Sequence, residues 1–338
     1  MRKGQILTLV GIGVVAGGIA TAVAVLPTWL PTRASVEAGR LDDVLWMTII
    51  ISIVIFSVVG AVIVYEVIRF RARPGDDSDG PPVHGHTGLE ITWTLIPLGI
   101  VTAIAIFSAI VLSRNGNAGV DPLRVDVIAQ QYSWTFTYPD AHGLTSSVLR
   151  LPKGRSVLLT ITSKDVIHSF WVPNFGQKQD AVPGLHPTLH ITPDRLGTFP
   201  VICVELCGLG HALMRSEAIV MTPTSFASWL KSQQQAVTSP NASVSGAAVF
   251  KNNQCAGCHT LTAAGAKGTA GPDLDKLPQW AAQAKQPLES FIRTSIVDPN
   301  AYIQPGFPKN LMPQTFASLP KQQLDALVQY LISSSKKG

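Results

Sequence analysis

The stretch Cys203-Val-Glu-Leu-Cys207-Gly-Leu-Gly-His211-Ala-Leu-Met214 is the most informative part of the sequence, because it places two thiols, an imidazole and a thioether within twelve residues. Soft sulfur ligands together with imidazole favour copper, zinc or iron over magnesium or calcium. A tetrahedral zinc site has no use for Met214, and a Cys203–Cys207 disulfide would leave His211 and Met214 without a role. A Cys, a His and a weak Met on one loop of a β-sandwich form the blue-copper arrangement. The second Cys would let two thiolates bridge two copper ions.

The second copper needs an imidazole from elsewhere in the sheet-forming region. The candidates are His142, His168, His186 and His190. His168 lies in DVIHSFWVP, where a predicted strand ends just before a proline, as a ligand at a strand-to-loop corner would. Spacing alone does not choose between His168 and the other three histidines.

Residues 121–222 alternate apolar and polar positions in RVDVIAQQYSWTFTY, SVLLTIT and LHITPDRLGTFPVICVEL, with PDAHG, LPKG and VPG as breaks. This pattern predicts short antiparallel strands in a sandwich or barrel. We assign residues 121–231 to this all-β domain, including a short helix-like segment at its end. The polar, uncharged stretch 232–245 predicts a flexible linker.

Residues 246–338 contain Cys255-Ala-Gly-Cys258-His259, the pattern of covalent haem c attachment, in which two thiols bind the porphyrin and the histidine binds iron. A zinc site is excluded because this region has no other Cys or His. Met312 is its only methionine and therefore the candidate for the second iron ligand. The last segment, 319–334, predicts a helix with Leu324, Leu327, Val328 and Leu331 on one face.

Three uncharged runs are long enough to cross a bilayer, and they lie between Lys3 and Arg33, Asp43 and Glu66, and Glu90 and Arg114. Arginines at positions 69, 71 and 73 predict that the loop 66–90 is cytoplasmic and that everything after residue 114 is outside. Arg2 and Lys3 agree with this orientation. Residues 1–33 predict a signal peptide or an extra transmembrane helix, with cleavage slightly favoured. Residues 41–114 predict two transmembrane helices.

Composition excludes several classes of protein. The chain has 338 residues, of which 46% are hydrophobic and only 14% charged, so it is neither disordered nor a single soluble domain. The net charge of +5 is spread without a clustered basic face, which argues against nucleic-acid binding. Four cysteines in two close pairs are too few for a disulfide scaffold and suit metal or cofactor attachment.

The motifs DVIHSFWVP and CVELCGLGHALM resemble the dinuclear copper A domain of cytochrome c oxidase subunit II, and LEITWTLIP resembles the start of that subunit's second helix. The resemblance covers about residues 40–230. It implies a cupredoxin-like fold in which Cys203 and Cys207 bridge both coppers. It further implies that His168 and His211 bind one copper each and that Met214 is a weak axial ligand.

Two glutamates take roles only through this resemblance. The backbone carbonyl of Glu205 would be the other weak axial ligand, and its side chain would reach a magnesium site shared with subunit I. Glu90 matches a glutamate near the cytoplasmic mouth of a proton path. A plain carboxylate at the start of a helix is the alternative for Glu90.

Residues 246–338 resemble an all-α class I cytochrome c domain. In that family a Met-Pro pair well downstream of the haem motif supplies the second iron ligand, as Met312-Pro313 would here. The stretch Gly271-Pro272-Asp273-Leu274 also fits the family's loop before the haem edge.

One feature departs from the oxidase family, which usually has a tryptophan directly after a glutamine where electrons from cytochrome c come in. Here the run is Gln130-Gln131-Tyr132-Ser133-Trp134, so alignment on Trp134 puts Tyr132 at that position. Tyr132 and Trp134 are the candidate electron-input residues, although packing within a strand is the favoured role for Trp134 and Phe136. A haem on the same chain would be tethered at roughly millimolar effective concentration, which relaxes the need for a surface tryptophan.

The resemblance as a whole implies a haem-fused, caa-type subunit II in a bacterial membrane. Electrons would pass from an external donor, a cytochrome bc-type complex or a small c-type cytochrome, through haem c and the dinuclear copper to the haems of subunit I. Oxygen would be reduced to water with proton translocation, in a complex that also contains subunit III. Two other functions stay open: the small subunit of a copper A nitric oxide reductase, and a membrane-anchored carrier or redox sensor without a catalytic partner. A quinol-oxidising relative is disfavoured, because that branch has lost the copper ligands.

Overall fold

The computed structural model describes residues 3–71, 75, 82, 84–238, 245–253 and 255–335. Arg2 and Arg73, used above for orientation, and residues 239–244 of the predicted linker lie outside this part of the chain. The chain divides into two compact units, one formed by the residues up to Thr32 with Gly39–Gly116, the other by Arg33–Ala38 with Asn117 onwards.

The first unit consists of three long helices: α1 (Lys3–Val25), α2 (Val36–Arg69) and α3 (Thr87–Asn115). Each is long and apolar enough to cross a membrane. Lipid offers the backbone no hydrogen-bond partners, so a helix is the form in which such a segment can span it. Helix α1 contacts α2 through small residues, since a Cβ at Gly17 would lie 2.8 Å from Ser57 Oγ and one at Gly13 would lie 3.6 Å from Ala61 Cβ. Cleavage of residues 1–33 stays a prediction.

The second unit begins with a β-sandwich of two five-stranded sheets, ordered β3-β2-β1-β5-β8 and β4-β10-β9-β6-β7. The strands are β1 (Leu123–Gln130), β2 (Ser133–Tyr138), β3 (Leu144–Ser146), β4 (Leu149–Pro152), β5 (Val157–Ser163), β6 (His168–Trp171), β7 (Lys178–Ala181), β8 (Thr188–Ile191), β9 (Gly197–Cys203) and β10 (Arg215–Met221). Their alternate residues face a common core, as in β1, where Leu123, Val125, Val127 and Ala129 are buried. The period-two pattern read from the sequence is thus the packing pattern of the two sheets.

A sixteen-residue helix, α4 (Pro223–Thr238), follows the sandwich directly. Phe226 is buried in the sandwich core, and Trp229 packs against Tyr138 and Arg150. The helix continues to Thr238, so the first seven residues of the stretch predicted as linker are helical. The glutamines of this stretch are good helix formers and extend a helix that the aromatic residues have already anchored.

The C-terminal region has its own core and comprises α5 (Gly246–Asn252), a hairpin of two two-residue strands, β11 (Thr260–Leu261) and β12 (Ala266–Lys267), and α6 (Leu277–Gln283), α7 (Leu288–Val297) and α8 (Lys321–Ser335). Helix α8 buries Leu327, Val328 and Leu331, three of the four residues predicted to share a face. Gly246 lies directly against the backbone of α8 at Ala326, where a side chain would clash. The predicted order of architectures is confirmed: helices long enough to span a membrane, then a β-sandwich, then a mainly helical C-terminal domain.

Candidate metal centres

The motif from Cys203 to Met214 forms the loop between β9 and β10. The two strands pair antiparallel, with Arg215 opposite Ile202. The backbone N–H of Cys203 donates to the carbonyl of Met214, 3.2 Å away, and so closes the loop where it leaves the sheet. A glycine-rich loop pinned at both ends can fold its sulfur and nitrogen atoms toward one another.

The predicted copper ligands converge around the two thiols. The sulfurs of Cys203 and Cys207 are 3.9 Å apart and not bonded to each other. Cys207 Sγ lies 3.5 Å from His211 Nδ1 and 3.9 Å from Met214 Sδ. The sulfur of Cys203 lies 3.3 Å from the carbonyl oxygen of Glu205. Each thiol therefore has its own neighbouring weak donor, as the predicted ligand set requires.

The structure supplies the second imidazole from His168, which is fully buried at the start of β6. Strand β6 pairs with β9 so that Phe170 lies opposite Cys203, and this register brings His168 Nδ1 to 3.9 Å from Cys203 Sγ. The three other candidates lie elsewhere: His142 and His186 are exposed, and His190 lies on β8 in the other sheet.

Asp165 orients His168 and was missed in the sequence. Its Oδ1 lies 2.8 Å from His168 Nε2, so this nitrogen donates its proton to the carboxylate and Nδ1 keeps its lone pair on the side of Cys203. Burial lowers the pKa of His168, but hydrogen bonds to Cys203 and Asp165 raise it by more. The signal was present in DVIHSFWVP, where an aspartate stands three residues before the histidine.

The two thiols ionise unequally. Burial raises the pKa of Cys203, but the interactions of this sulfur with His168 and with nearby backbone groups outweigh burial and bring the pKa to about 6. Burial and the adjacent Cys203 raise the pKa of Cys207 to about 12. Two thiolates this close repel each other unless a cation lies between them. The site thus fits a cation. Its donors are more numerous than the four ligands of a tetrahedral zinc site. Its thiol and thioether sulfurs, together with imidazole, are ligands that suit copper.

The Glu205 side chain is exposed, and it belongs to no metal-binding group of the described residues, among which only His168, Cys203 and Cys207 form one. Glu90 lies in the first turn of α3, where its Oε1 accepts a hydrogen bond from the backbone N–H of His86, at 3.3 Å. This is the helix-start role given as the alternative for Glu90.

The two electron-input candidates differ in position. Tyr132 is half-buried and lies against the ligand loop at Gly208 and Gly210. Trp134 is a core residue instead, with only 2% of its surface exposed and its ring edge-on to Phe170 at 5.5 Å. This burial agrees with the strand-packing role favoured for Trp134 from the sequence, and its part in electron input stays a prediction.

The haem-motif residues of the C-terminal domain line one cavity: Cys255, Cys258, His259 and Met312. His259 Nδ1 donates to the carbonyl of Pro272, 2.7 Å away, which leaves Nε2 available as a ligand. A Cβ at Gly271 would lie 2.6 Å from the His259 ring, so only glycine allows this approach. Burial lowers the pKa of His259 and keeps the imidazole neutral, as iron ligation requires. Apolar walls and one free imidazole nitrogen fit a haem.

Comparisons with known proteins agree with this architecture. Family models match at residues 25–111 for the transmembrane domain of cytochrome c oxidase subunit II, 144–222 for its periplasmic domain and 243–335 for cytochrome c. Cytochrome c oxidase subunit 2 of Thermostichus vulcanus is 36% identical over 264 residues, covering 62% of this chain and 80% of the relative. That of Alkalihalophilus pseudofirmus is 30% identical over 309 residues, covering 88% of each chain. The crystal structure of the periplasmic domain of cytochrome oxidase subunit II from Bradyrhizobium japonicum shares 27% identity over 35% of this chain and 98% of that one, with a TM-score of 0.34.

Fold and site together define a membrane-anchored electron-transfer protein with an extracytoplasmic cupredoxin-like domain and an attached cytochrome c domain. The chain belongs to the cytochrome c oxidase subunit II family, in the form that has a C-terminal cytochrome c domain. Membership implies a copper A centre, a haem c and a partner subunit I in a haem-copper oxidase.

Proposed function

We propose that this chain passes electrons from its cytochrome c domain through its sandwich domain to subunit I, where oxygen is reduced to water with proton translocation. The observation that supports the proposal most strongly is the convergence of six donors in one cluster: Cys203, Cys207, His168, His211, Met214 and the Glu205 carbonyl. When bound, the copper pair and the haem iron supply one-electron chemistry.

The protein residues hold the two centres in fixed geometry. Cys203, Cys207, His168 and His211 would hold the copper ions. His168 is oriented by Asp165, and His259 is oriented by the carbonyl of Pro272. Ligands held in advance in this way change little when an electron arrives, and so keep the reorganisation cost of each transfer small.

The surface of the ligand loop is apolar where a partner must approach. Leu206 and Leu209 are 79% and 84% exposed, on either side of the buried Cys207. Exposed apolar groups of this kind mark contact surfaces. We propose that the cytochrome c domain of the same chain docks here, next to Tyr132, because its tether keeps it at high local concentration. The upstream donor, a cytochrome bc-type complex or a small c-type cytochrome, would then reduce the cytochrome c domain.

Flash-induced electron transfer within the purified complex tests this function. The rate from haem c to copper should be independent of protein concentration, because the partner is tethered. Cys207→Ser should abolish transfer while leaving the haem spectrum intact, and Ser216→Ala, on β10, is the matched control. Transfer that survives in Cys207→Ser, or that slows on dilution, would contradict the proposal. Consumption of nitric oxide but not oxygen by the complex would favour the reductase alternative.

A further inference from the structure

The turn between β1 and β2 is hydrogen-bonded to the copper-ligand loop at Cys207 and to Asp165, the carboxylate that orients His168. Gln131 Nε2 donates to the carbonyl of Cys207, 2.6 Å away. The backbone N–H of the same glutamine donates to Asp165 Oδ2 at 2.7 Å, and the other oxygen of this carboxylate lies 2.8 Å from His168 Nε2. Gln131 is thus one hydrogen bond from Cys207 and two from His168.

The next residue, Tyr132, packs against the ligand loop at Gly208 and Gly210. The contact is so close that only glycine leaves room for it at these two positions. A Cβ at Gly208 would lie 2.5 Å from the tyrosine hydroxyl oxygen, and one at Gly210 would lie 2.5 Å from Cδ2 of the ring. The ring therefore covers bare backbone beside Cys207 and His211. Its position depends on how firmly the preceding residue is held.

We infer that Gln131 is a positioning residue that holds the Tyr132 ring against the copper-ligand loop. The inference rests on the proposed function, in which electrons come in at this surface. The amide of Gln131 ties the turn to Cys207, and its backbone ties the turn to the carboxylate that orients His168. Loss of the side-chain bond frees one end of this connection while every metal ligand stays in place.

The test uses the full chain and the isosteric variant Gln131→Glu, which replaces the amide donor by an acceptor that the Cys207 carbonyl repels. Gln131→Met, neutral and without a donor, excludes an effect of charge alone. Gln130→Glu adds the same charge one residue earlier and is the matched control. Hydrogen exchange of the copper-free chain is the first readout, and we expect loop amides 208–212 to exchange about five- to tenfold faster in both Gln131 variants but not in the control.

The second readout is electron transfer from haem c to copper in the loaded complex, with the copper EPR signal as reference. Both Gln131 variants should slow transfer and leave the EPR signal unchanged. Tyr132→Leu separates this inference from the proposed function: if it leaves the transfer rate unchanged, the role of Tyr132 itself is wrong. If Tyr132→Leu slows transfer while the Gln131 variants alter neither exchange nor rate, the positioning role is overturned. A changed EPR signal in both Gln131 variants overturns it as well, since Gln131 would then act on the ligands themselves.

Discussion

Replacing Gly210 by alanine gives a sharp test of the contact between Tyr132 and the ligand loop. Gly210 has φ −90° and ψ 12°, a conformation that alanine also adopts, so the backbone itself adds no strain. The new Cβ would lie 2.5 Å from Tyr132 Cδ2 and 2.7 Å from Cγ. Ordinary contacts begin near 3.4 Å, so the ring must move by about 1 Å, and overpacking of this kind costs about 1–3 kcal/mol.

Gly210→Ala should stabilise the loop, instead of destabilising it, when the Tyr132 ring is absent. In a Tyr132→Ala background nothing opposes the Cβ, and a strain-free Gly→Ala change stabilises by about 0.4–1 kcal/mol through the unfolded chain. Hydrogen exchange of the loop in the full chain measures both values, and a cost of 1–3 kcal/mol corresponds to about 5- to 150-fold faster exchange. Equal effects in the two backgrounds would refute the contact. Gly208→Ala should cost more than Gly210→Ala, because Gly208 also has φ +128°.

Four further substitutions probe separate parts of the chain. Met312→Ala should leave the haem covalently attached but change its axial ligation, and an unaltered haem spectrum would exclude Met312 as a ligand. Met214→Ala should alter only the copper EPR signal. Asp165→Asn should weaken copper binding by about 10- to 100-fold in a competition titration, since it disturbs the orientation of a ligand histidine, and equal loss in the exposed control Asp194→Asn would contradict this. Trp229→Ala removes ring contacts at 5.2 Å to Tyr138 and 5.1 Å to Arg150, and it should destabilise α4 by about 1–2 kcal/mol. Hydrogen exchange of that helix should become faster while the copper signal stays unchanged. Protection equal to that of the unaltered chain would exclude these contacts as a source of stability.

Much of the architecture followed from local patterns. The membrane helices are set by uninterrupted apolar runs, and the sandwich is set by alternation of period two. The loop from Cys203 to Met214 is a hairpin connection, so donors close in sequence are also close in space. The haem motif is local for the same reason.

The remaining features depend on tertiary register, which spacing does not contain. His168 could not be chosen from four histidines, because its position follows from the pairing of β6 with β9. Gln131 meets Cys207 across 76 positions of sequence, and no local pattern links them. The helical start of the predicted linker depends on burial of Phe226 in the sandwich, which the polar composition of residues 232–238 does not reveal.

Metal content of the purified full-length chain, measured together with its copper EPR spectrum, tests the central claim most directly. Two coppers and one iron per chain, with one unpaired electron shared between the two coppers, is the predicted result. Zinc at Cys203 and Cys207, or an empty loop in protein whose thiols are free and whose haem is attached, would contradict it.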